Sequence, residues 1–367
     1  MFRQFLTSLF VVALALPAAA QQGREDMLVS TQWLQQELAN VKLVDVGDRA
    51  AYEAGHIPGA VLIEVSSLLT KRDGVPNELP PVAELEDVFA RAGIGARDRI
   101  ILYSRDPIFA ARAWFTLDYL GAGKRAAILD GGIAKWTAER RPTSSGIVRT
   151  TPGSFEARVV PESVTRLATM RELVRLRDAA GPSLALIDAR SRQQFDGTDA
   201  GAEVSFAGHI PGAVNVPFAL NFIPGDMAVF RSARELRDLY ARAGISRSTA
   251  NVVYCRTGMQ ASVTYFVLKY LGYDASLYDG SYLEWSNAGE MIADAAPAMR
   301  RHEMESSLVT LAYETPLCHP AARGVVRRRA AGPARIRDRG DDVRHVRGER
   351  DEGAEKDQGR DERQRRL

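Results

Sequence analysis

The chain has 367 residues and a formal net charge of +2, and it holds only two cysteines, Cys255 and Cys318. Two cysteines exclude a disulfide-rich scaffold and a cysteine-based zinc site, and five scattered histidines offer no metal-ligand spacing. Residues 316–367 hold 15 Lys and Arg against 10 Asp and Glu, so their charge of +5 leaves −3 for the rest of the chain. The globular part therefore lacks the basic surface expected of a nucleic-acid-binding protein.

Residues 1–20 have the pattern of a secretory signal peptide. Arg3 precedes an apolar run from Phe5 to Leu16, and the small residues Ala18, Ala19 and Ala20 follow. The run is too short to span a bilayer comfortably, and an uncleaved anchor is the alternative interpretation. We predict export to a bacterial periplasm, with no membrane span once residues 1–20 are removed.

Five sequence blocks occur twice in the same order, at a spacing of roughly 150 residues, which is the size of a domain. The paired blocks are 43–46 and 186–189, 55–61 and 208–214, 90–94 and 241–245, 101–105 and 252–256, and 129–132 and 278–281. Each copy alternates short apolar strands with helical stretches, which predicts two α/β domains, each a mostly parallel sheet flanked by helices. We place these domains at 28–141 and 161–290, joined by a linker at 142–160 that begins with residues rich in Pro, Ser, Thr and Gly.

The first copy carries Ser104 where the second copy has Cys255. The loop after Ser104 contains Asp106, which repels anions, and Pro107, which has no N–H to donate. No base that could activate a serine nucleophile is apparent. We therefore predict that the domain 28–141 is catalytically inactive.

In the second copy, Val252–Val253 predicts a buried parallel strand and Ser262–Leu271 has helical apolar spacing. Cys255 thus lies at the carboxyl end of a strand, where open α/β sheets bind ligands. The amides of residues 256–260 can surround the sulfur, and both the positive end of the helix and the charge of Arg256 favour the reactive thiolate. A buried core cysteine is the alternative, but such a residue has no need of the charged, glycine-containing turn that follows.

Residues 316–367 are rich in arginine and poor in long apolar residues. We predict that this tail is disordered, because it cannot bury enough apolar surface to offset its ordering entropy. A basic arm for anionic partners is one interpretation of the tail, and a non-selected extension is the one we favour. Cys318 lies in this segment.

Together these motifs resemble the tandem-domain rhodanese (thiosulfate sulfurtransferase) family, which includes the 3-mercaptopyruvate sulfurtransferases. The resemblance covers about Leu28 to Asn287. It rests on the Gly-His-Ile-Pro-Gly-Ala turn of both copies, the Cys-Arg-x-Gly loop at Cys255 and the Asp-Gly-Gly/Ser…Trp block closing each copy. It implies an enzyme in which Cys255 takes the sulfane sulfur of thiosulfate as a persulfide and passes it to cyanide or a thiol. It implies no metal or organic cofactor, and we expect a monomer.

The resemblance also assigns substrate-binding residues. Arg256 falls on the arginine that follows the cysteine in thiosulfate-using members, whereas mercaptopyruvate enzymes usually have glycine there. Arg190 falls on the arginine that reaches the anionic group of the substrate. The remaining predicted binding residues are Thr257, Gly258, Met259 and Gln260.

Two departures from the family pattern bear on the donor. Thr257 stands where the thiosulfate-using branch often has lysine, and Gln194 stands where the mercaptopyruvate branch usually has arginine. We predict thiosulfate as the donor, with 3-mercaptopyruvate as the alternative. A dual-specificity phosphatase is disfavoured, because its arginine six places after the cysteine is Ala261 here. A persulfide carrier that does not turn over freely is the other alternative.

Overall fold

The structure, a computed structural model, describes residues 24–180, 183–225 and 227–289. The predicted signal peptide, the arginine-rich tail and Cys318 lie outside the described residues. The strands of the first domain are β1 (Leu28–Val29), β2 (Lys42–Gly47), β3 (Val61–Glu64), β4 (Thr70–Arg72), β5 (Val75–Glu78), β6 (Ile100–Tyr103) and β7 (Ala126–Leu129). Its helices are α1 (Thr31–Glu37), α2 (Arg49–Ala54), α3 (Val82–Arg91), α4 (Pro107–Tyr119) and α5 (Gly132–Ala138).

The second domain repeats this element order, but in its described residues the hairpin of β4 and β5 is reduced to one antiparallel bridge, between Phe222 and Phe230. Its strands are β8 (Val164–Thr165), β9 (Leu184–Asp188), β10 (Val214–Asn215), β11 (Ala250–Tyr254) and β12 (Ala275–Tyr278). Its helices are α6 (Leu167–Ala180), α7 (Arg192–Phe195), α8 (Ala233–Arg242), α9 (Met259–Tyr270) and α10 (Ser281–Asn287).

Each domain is built on a five-stranded sheet in which every neighbouring pair is parallel. The strand order is β1-β7-β6-β2-β3 in the first sheet and β8-β12-β11-β9-β10 in the second. Matched by position in the repeat, the two orders are the same. The prediction of two like α/β domains with parallel sheets is confirmed for the part of the chain that the structure describes.

Helices α4 and α9 pack against each other and join the two domains. Residues 110–117 of α4 and 261–268 of α9 are all buried, as expected for helices that are covered on every side. Trp114 meets Phe266 edge to face with ring centroids 5.1 Å apart, and Phe115 meets Tyr265 in the same way at 5.2 Å. This packing brings the ends of β6 and β11 to the same interface.

Two equivalent aspartates each accept a hydrogen bond from the backbone of the other domain across that interface. Asp279 accepts the backbone N–H of Leu79 at 2.7 Å, and Asp130 accepts the N–H of Phe230 at 2.9 Å. Asp279 is also paired with the fully buried Arg112 at 2.9 Å. Each domain therefore helps to fix the end of the other domain's sheet.

The two domains differ in one connection near the site. Gly55 follows Asp45 by 10 positions, whereas Gly208 follows Asp188 by 20, so the second domain has ten extra residues between β9 and β10. The extra segment, residues 196–205, is held to the end of α10, because Ser205 donates both its N–H and its hydroxyl to Asn287.

The predicted linker 142–160 contains no helix and only an isolated bridge, between Ser144 and His56. It packs on the first domain, since Phe155 lies in the core against Phe89. Among the described residues, no helix has the length and apolar character needed to cross a membrane.

Candidate active site

Cys255 directly follows β11 and lies before the first turn of α9. It is only 1% exposed, yet it lines a cavity of about 450 Å³ together with residues from both domains. Cys255 is therefore buried and borders the cavity. This arrangement agrees with the predicted position at a strand's carboxyl end, and Cys255 packs in the hydrophobic core while also bordering the cavity.

The helix after Cys255 begins three residues earlier than the apolar spacing predicted, at Met259 and not Ser262. The reason is Gly258, which caps the helix in the left-handed region with φ of +79°. A Cβ at this position would lie 2.9 Å from the carbonyl oxygen of Asp279, so a larger residue cannot fit without movement. The loop is consequently tighter, and the amides of Met259 and Gln260 belong to the first helical turn.

The carbonyl side of the loop is fixed by α10. Cys255 and Arg256 accept the backbone N–H groups of Tyr282 and Leu283, each at 3.0 Å. The N–H of Cys255 donates to the hydroxyl of Ser281 at 3.3 Å. Because the amides of a helix's first turn have no acceptor within the helix, those at the start of α9 remain available to an anion in the cavity.

Arg256 lines the cavity and is held by the extra segment of the second domain. Its side chain is 33% exposed, and Nη1 donates to the carbonyl of Ala202 at 3.1 Å. The carboxylate of Glu203 lies 3.6 Å from the same nitrogen. The guanidinium therefore lies at the cavity wall, next to a carboxylate that an anionic ligand would have to compete with.

Arg190 is held by contacts within the second domain. It is buried beneath the site, where Nη2 lies 2.5 Å from Oδ2 of Asp188 and donates to the carbonyl of Gly208 at 2.8 Å. Its guanidinium also lies 3.9 Å from the centroid of the Tyr282 ring. Burial opposes the charged form, but Asp188 outweighs it and raises the pKa of Arg190. Arg190 is not among the residues that line the cavity, so its contact with substrate remains a prediction.

The other predicted residues fall in two groups. Thr257, Met259 and Gln260 line the cavity with Cys255 and Arg256, and so does Gln194. Gly258 does not line it and acts through the backbone turn described above.

The first domain supplies a wall of the cavity that the sequence did not reveal. The residues it contributes are Val65, Leu69, Asn77, Ile108 and Phe109. Asn77 has a left-handed backbone, with φ of +66°, and its side-chain amide donates to Thr257 Oγ1 at 3.0 Å. Its carbonyl accepts from Arg112 at 2.7 Å. No local pattern marks these residues, because they reach the site through the packing of one domain on the other.

At the equivalent loop of the first domain, side chains accept the amides at the start of α4. Ser104 Oγ accepts the N–H of Ala110 at 3.2 Å, and Asp106 caps α4 by accepting the N–H of Ile108 at 2.9 Å. The cavity beside Ser104 is only about 20 Å³ and is covered by Phe230 and its neighbours from the second domain.

A cysteine held at a strand end above the first turn of a helix is typical of proteins that use a thiolate as nucleophile. The family model of the rhodanese-like domain matches the chain twice, at residues 30–139 and 169–288. The chain therefore belongs to the rhodanese family of sulfurtransferases.

Relatives of known name agree with this assignment. The sulfur carrier protein TtuD of Thermus thermophilus is 35% identical over 276 residues, covering 71% of this chain and 94% of that protein. A protein of Mycolicibacterium smegmatis named "Putative thiosulfate sulfurtransferase" is 33% identical over 277 residues, covering 72% of this chain and 96% of that one. The crystal structure of SseA from Escherichia coli, titled as a 3-mercaptopyruvate sulfotransferase, superposes with a TM-score of 0.61. SseA is 27% identical, with 69% of this chain and 98% of that chain covered.

Proposed function

We propose that the protein is a thiosulfate sulfurtransferase that carries sulfur as a persulfide on Cys255. The observation that supports this most directly is that Cys255 borders a cavity also lined by the start of α9 and by Arg256. Unpaired amides and a guanidinium suit a donor, a leaving group and an intermediate that are all anions. In this proposal the second domain is catalytic and the first is inactive.

The reaction consists of two displacements at sulfur. The Cys255 thiolate attacks the sulfane sulfur of thiosulfate, and the S–S bond of the donor breaks with its electron pair leaving on sulfite. The new S–S bond makes Cys255 an anionic persulfide. Cyanide or a thiolate then attacks the outer sulfur, and the electron pair of the broken S–S bond returns to Cys255. The chain's own groups suffice for both steps, since Arg256 and the first-turn amides of α9 stabilise the charges that move.

Thiosulfate is favoured over 3-mercaptopyruvate by the charge beside the cysteine. Arg256 provides a full positive charge at the cavity wall, as suits a small dianion. The uncharged Gln194 lines the same cavity and offers no charge-assisted bond to a carboxylate. The thiosulfate sulfurtransferase name of the mycobacterial relative points the same way, whereas the name of SseA points to the alternative.

The test is a comparison of kcat/KM for the two donors with cyanide as acceptor, measured as thiocyanate formation. The proposal expects the value for thiosulfate to exceed the value for 3-mercaptopyruvate, with both lost in Cys255→Ser. A higher value for 3-mercaptopyruvate would contradict the choice of donor while leaving the persulfide chemistry intact.

A persulfide carrier is a second candidate, favoured by the similarity to TtuD, which is named a sulfur carrier protein. The two functions differ in turnover. An enzyme forms many equivalents of thiocyanate per Cys255, whereas a carrier loads one sulfur and releases it slowly to small acceptors.

We also propose that the protein acts in the periplasm, on the basis of residues 1–20 alone. Cell fractionation with N-terminal sequencing of the mature protein tests this. A cytoplasmic protein that retains Met1 would contradict it.

A further inference from the structure

The two domains differ at the second residue after a shared aspartate. Asp45 and Asp188 end equivalent segments of β2 and β9, but the residue two places later is Gly47 in the first domain and Arg190 in the second. Arg190 donates hydrogen bonds to both carboxylate oxygens of Asp188 and to the carbonyl oxygen of Gly208.

In the first domain, a different arginine donates a hydrogen bond to the carbonyl equivalent to that of Gly208. Gly55 is the counterpart of Gly208, and Arg105 donates to its carbonyl at 2.7 Å. The same nitrogen of Arg105 donates to the carbonyl of Ala51 in α2 at 2.8 Å. Arg105 is the residue after Ser104, and so it is the counterpart of Arg256. Where glycine stands at the position of Arg190, the loop arginine folds back onto the helix that follows the strand.

In the second domain, Arg256 is kept away from this position. Arg190 already holds the Gly208 carbonyl, and a second guanidinium at that oxygen would face its charge. Arg256 instead reaches Ala202 in the extra segment, and the position of a Cβ on Gly201 lies 3.7 Å from its Cδ. In this position Arg256 lines the cavity with Cys255.

We propose that Arg190 is a positioning residue, which keeps Arg256 at the cavity by occupying the Gly208 carbonyl. The extra segment at 196–205 provides the alternative acceptor that Arg256 uses. This inference rests on the proposed function in one respect, that Arg256 stabilises an anionic donor. It assigns Arg190 an effect on the donor through Arg256 and not by contact.

A double-mutant cycle between Arg190 and Arg256 separates these two roles. The variants are Arg190→Gly, Arg256→Ala and the double variant, compared by kcat/KM for thiosulfate with cyanide. If Arg190 acts through Arg256, Arg190→Gly should lower kcat/KM by about as much as Arg256→Ala does. In protein that already carries Arg256→Ala, adding Arg190→Gly should lower kcat/KM by less than about threefold. Equal losses in both backgrounds would overturn the proposal, since they would indicate that Arg190 acts on the donor independently.

A structural readout does not depend on the donor. In a crystal structure of Arg190→Gly, we expect the Arg256 guanidinium within hydrogen-bond distance of the Gly208 carbonyl, as Arg105 lies on Gly55. Arg256 still bonded to Ala202 would overturn the inference, whatever the enzyme's substrate. This result is thus distinct from a failure of the proposed function, which would appear as wild-type protein that forms no persulfide.

The mirror variant covers the case in which Arg190→Gly does not fold. Gly47→Arg lies outside the catalytic domain, and a Cβ there would meet only Asp45 Oδ1, at 3.6 Å. We expect the new arginine to pair with Asp45 and to displace Arg105 from the Gly55 carbonyl. A crystal structure with Arg105 still on Gly55 beside a paired arginine at position 47 would overturn the proposal.

Discussion

The loop after β6 begins at Ser104 and the loop after β11 begins at the equivalent Cys255, but the backbone amides that follow have different partners. In the first domain, Asp106 and Ser104 accept the N–H groups of Ile108 and Ala110, and the cavity beside them is about 20 Å³. In the second domain, Gly258 caps the helix without a side-chain acceptor, and the cavity is about 450 Å³. The two loops therefore differ in whether side chains accept the amides at the start of the following helix.

The comparison also indicates why the first domain is retained. Its hairpin and the start of α4 provide a wall of the cavity, and Asn77 bonds directly to Thr257 of the catalytic loop. Arg112 of α4 pairs with Asp279, against which Gly258 packs. The first domain thus supports the loop of the other domain that carries Cys255.

The largest expected effect tests the division of labour between the two loops. Cys255→Ser should lower thiocyanate formation by about a thousandfold or more, because the hydroxyl cannot carry the sulfane sulfur. Ser104→Ala, the matched control, should leave kcat/KM nearly unchanged. Equal losses in the two variants would contradict the assignment of the active site to the second domain.

Removing the loop arginine comes next. Arg256→Ala should lower kcat/KM for thiosulfate by about a hundredfold, because it removes a charge that stabilises the donor and the departing sulfite. Arg105→Ala is the equivalent change in the first domain and should have little effect on the same quantity. If the two variants behave alike, the cavity wall at Arg256 is not where the donor binds.

The buried aspartate of the first domain, Asp45, should affect the pH dependence of stability. Burial, opposed mainly by the hydrogen bond from Tyr103, raises the pKa of Asp45 from 3.8 to about 6. A raised carboxyl pKa means that the stabilising protonated form is lost as pH rises through about 6. The free energy of unfolding of wild type relative to Asp45→Asn should therefore fall by about 2 kcal/mol between pH 4 and pH 7. Urea denaturation of both proteins at several pH values measures this, and a constant difference would indicate that Asp45 stays ionised.

A smaller effect is expected from giving the catalytic loop the cap of the inactive one. Thr257→Asp places a carboxylate where Asp106 stands, so it should accept a first-turn amide of α9 and repel the donor. We expect kcat/KM for thiosulfate to fall by about tenfold, chiefly through a higher KM. Thr257→Asn, whose new side chain is uncharged, should lower kcat/KM by a smaller factor. If the two variants lose the same, the effect comes from the contact with Asn77 and not from charge.

Much of this architecture is encoded locally and could be predicted from the sequence. The repeated blocks gave two domains, and the strand, cysteine, glycine and helix around Cys255 lie in the predicted order. Apolar periodicity predicts the start of α9 three residues late, because it does not detect a helix turn capped by Gly258. The cavity wall around Asn77 and the burial of Arg190 could not be predicted from the sequence, since both depend on contacts with other segments of the chain.

The central claim is that Cys255 alone carries the transferred sulfur. Intact-mass measurement after exposure to thiosulfate, and again after addition of cyanide, tests it directly. We expect the mass of one sulfur atom to be gained, to be located on the peptide containing Cys255, and to be removed by cyanide. No gain in mass, or a gain that persists in Cys255→Ser, would contradict the account.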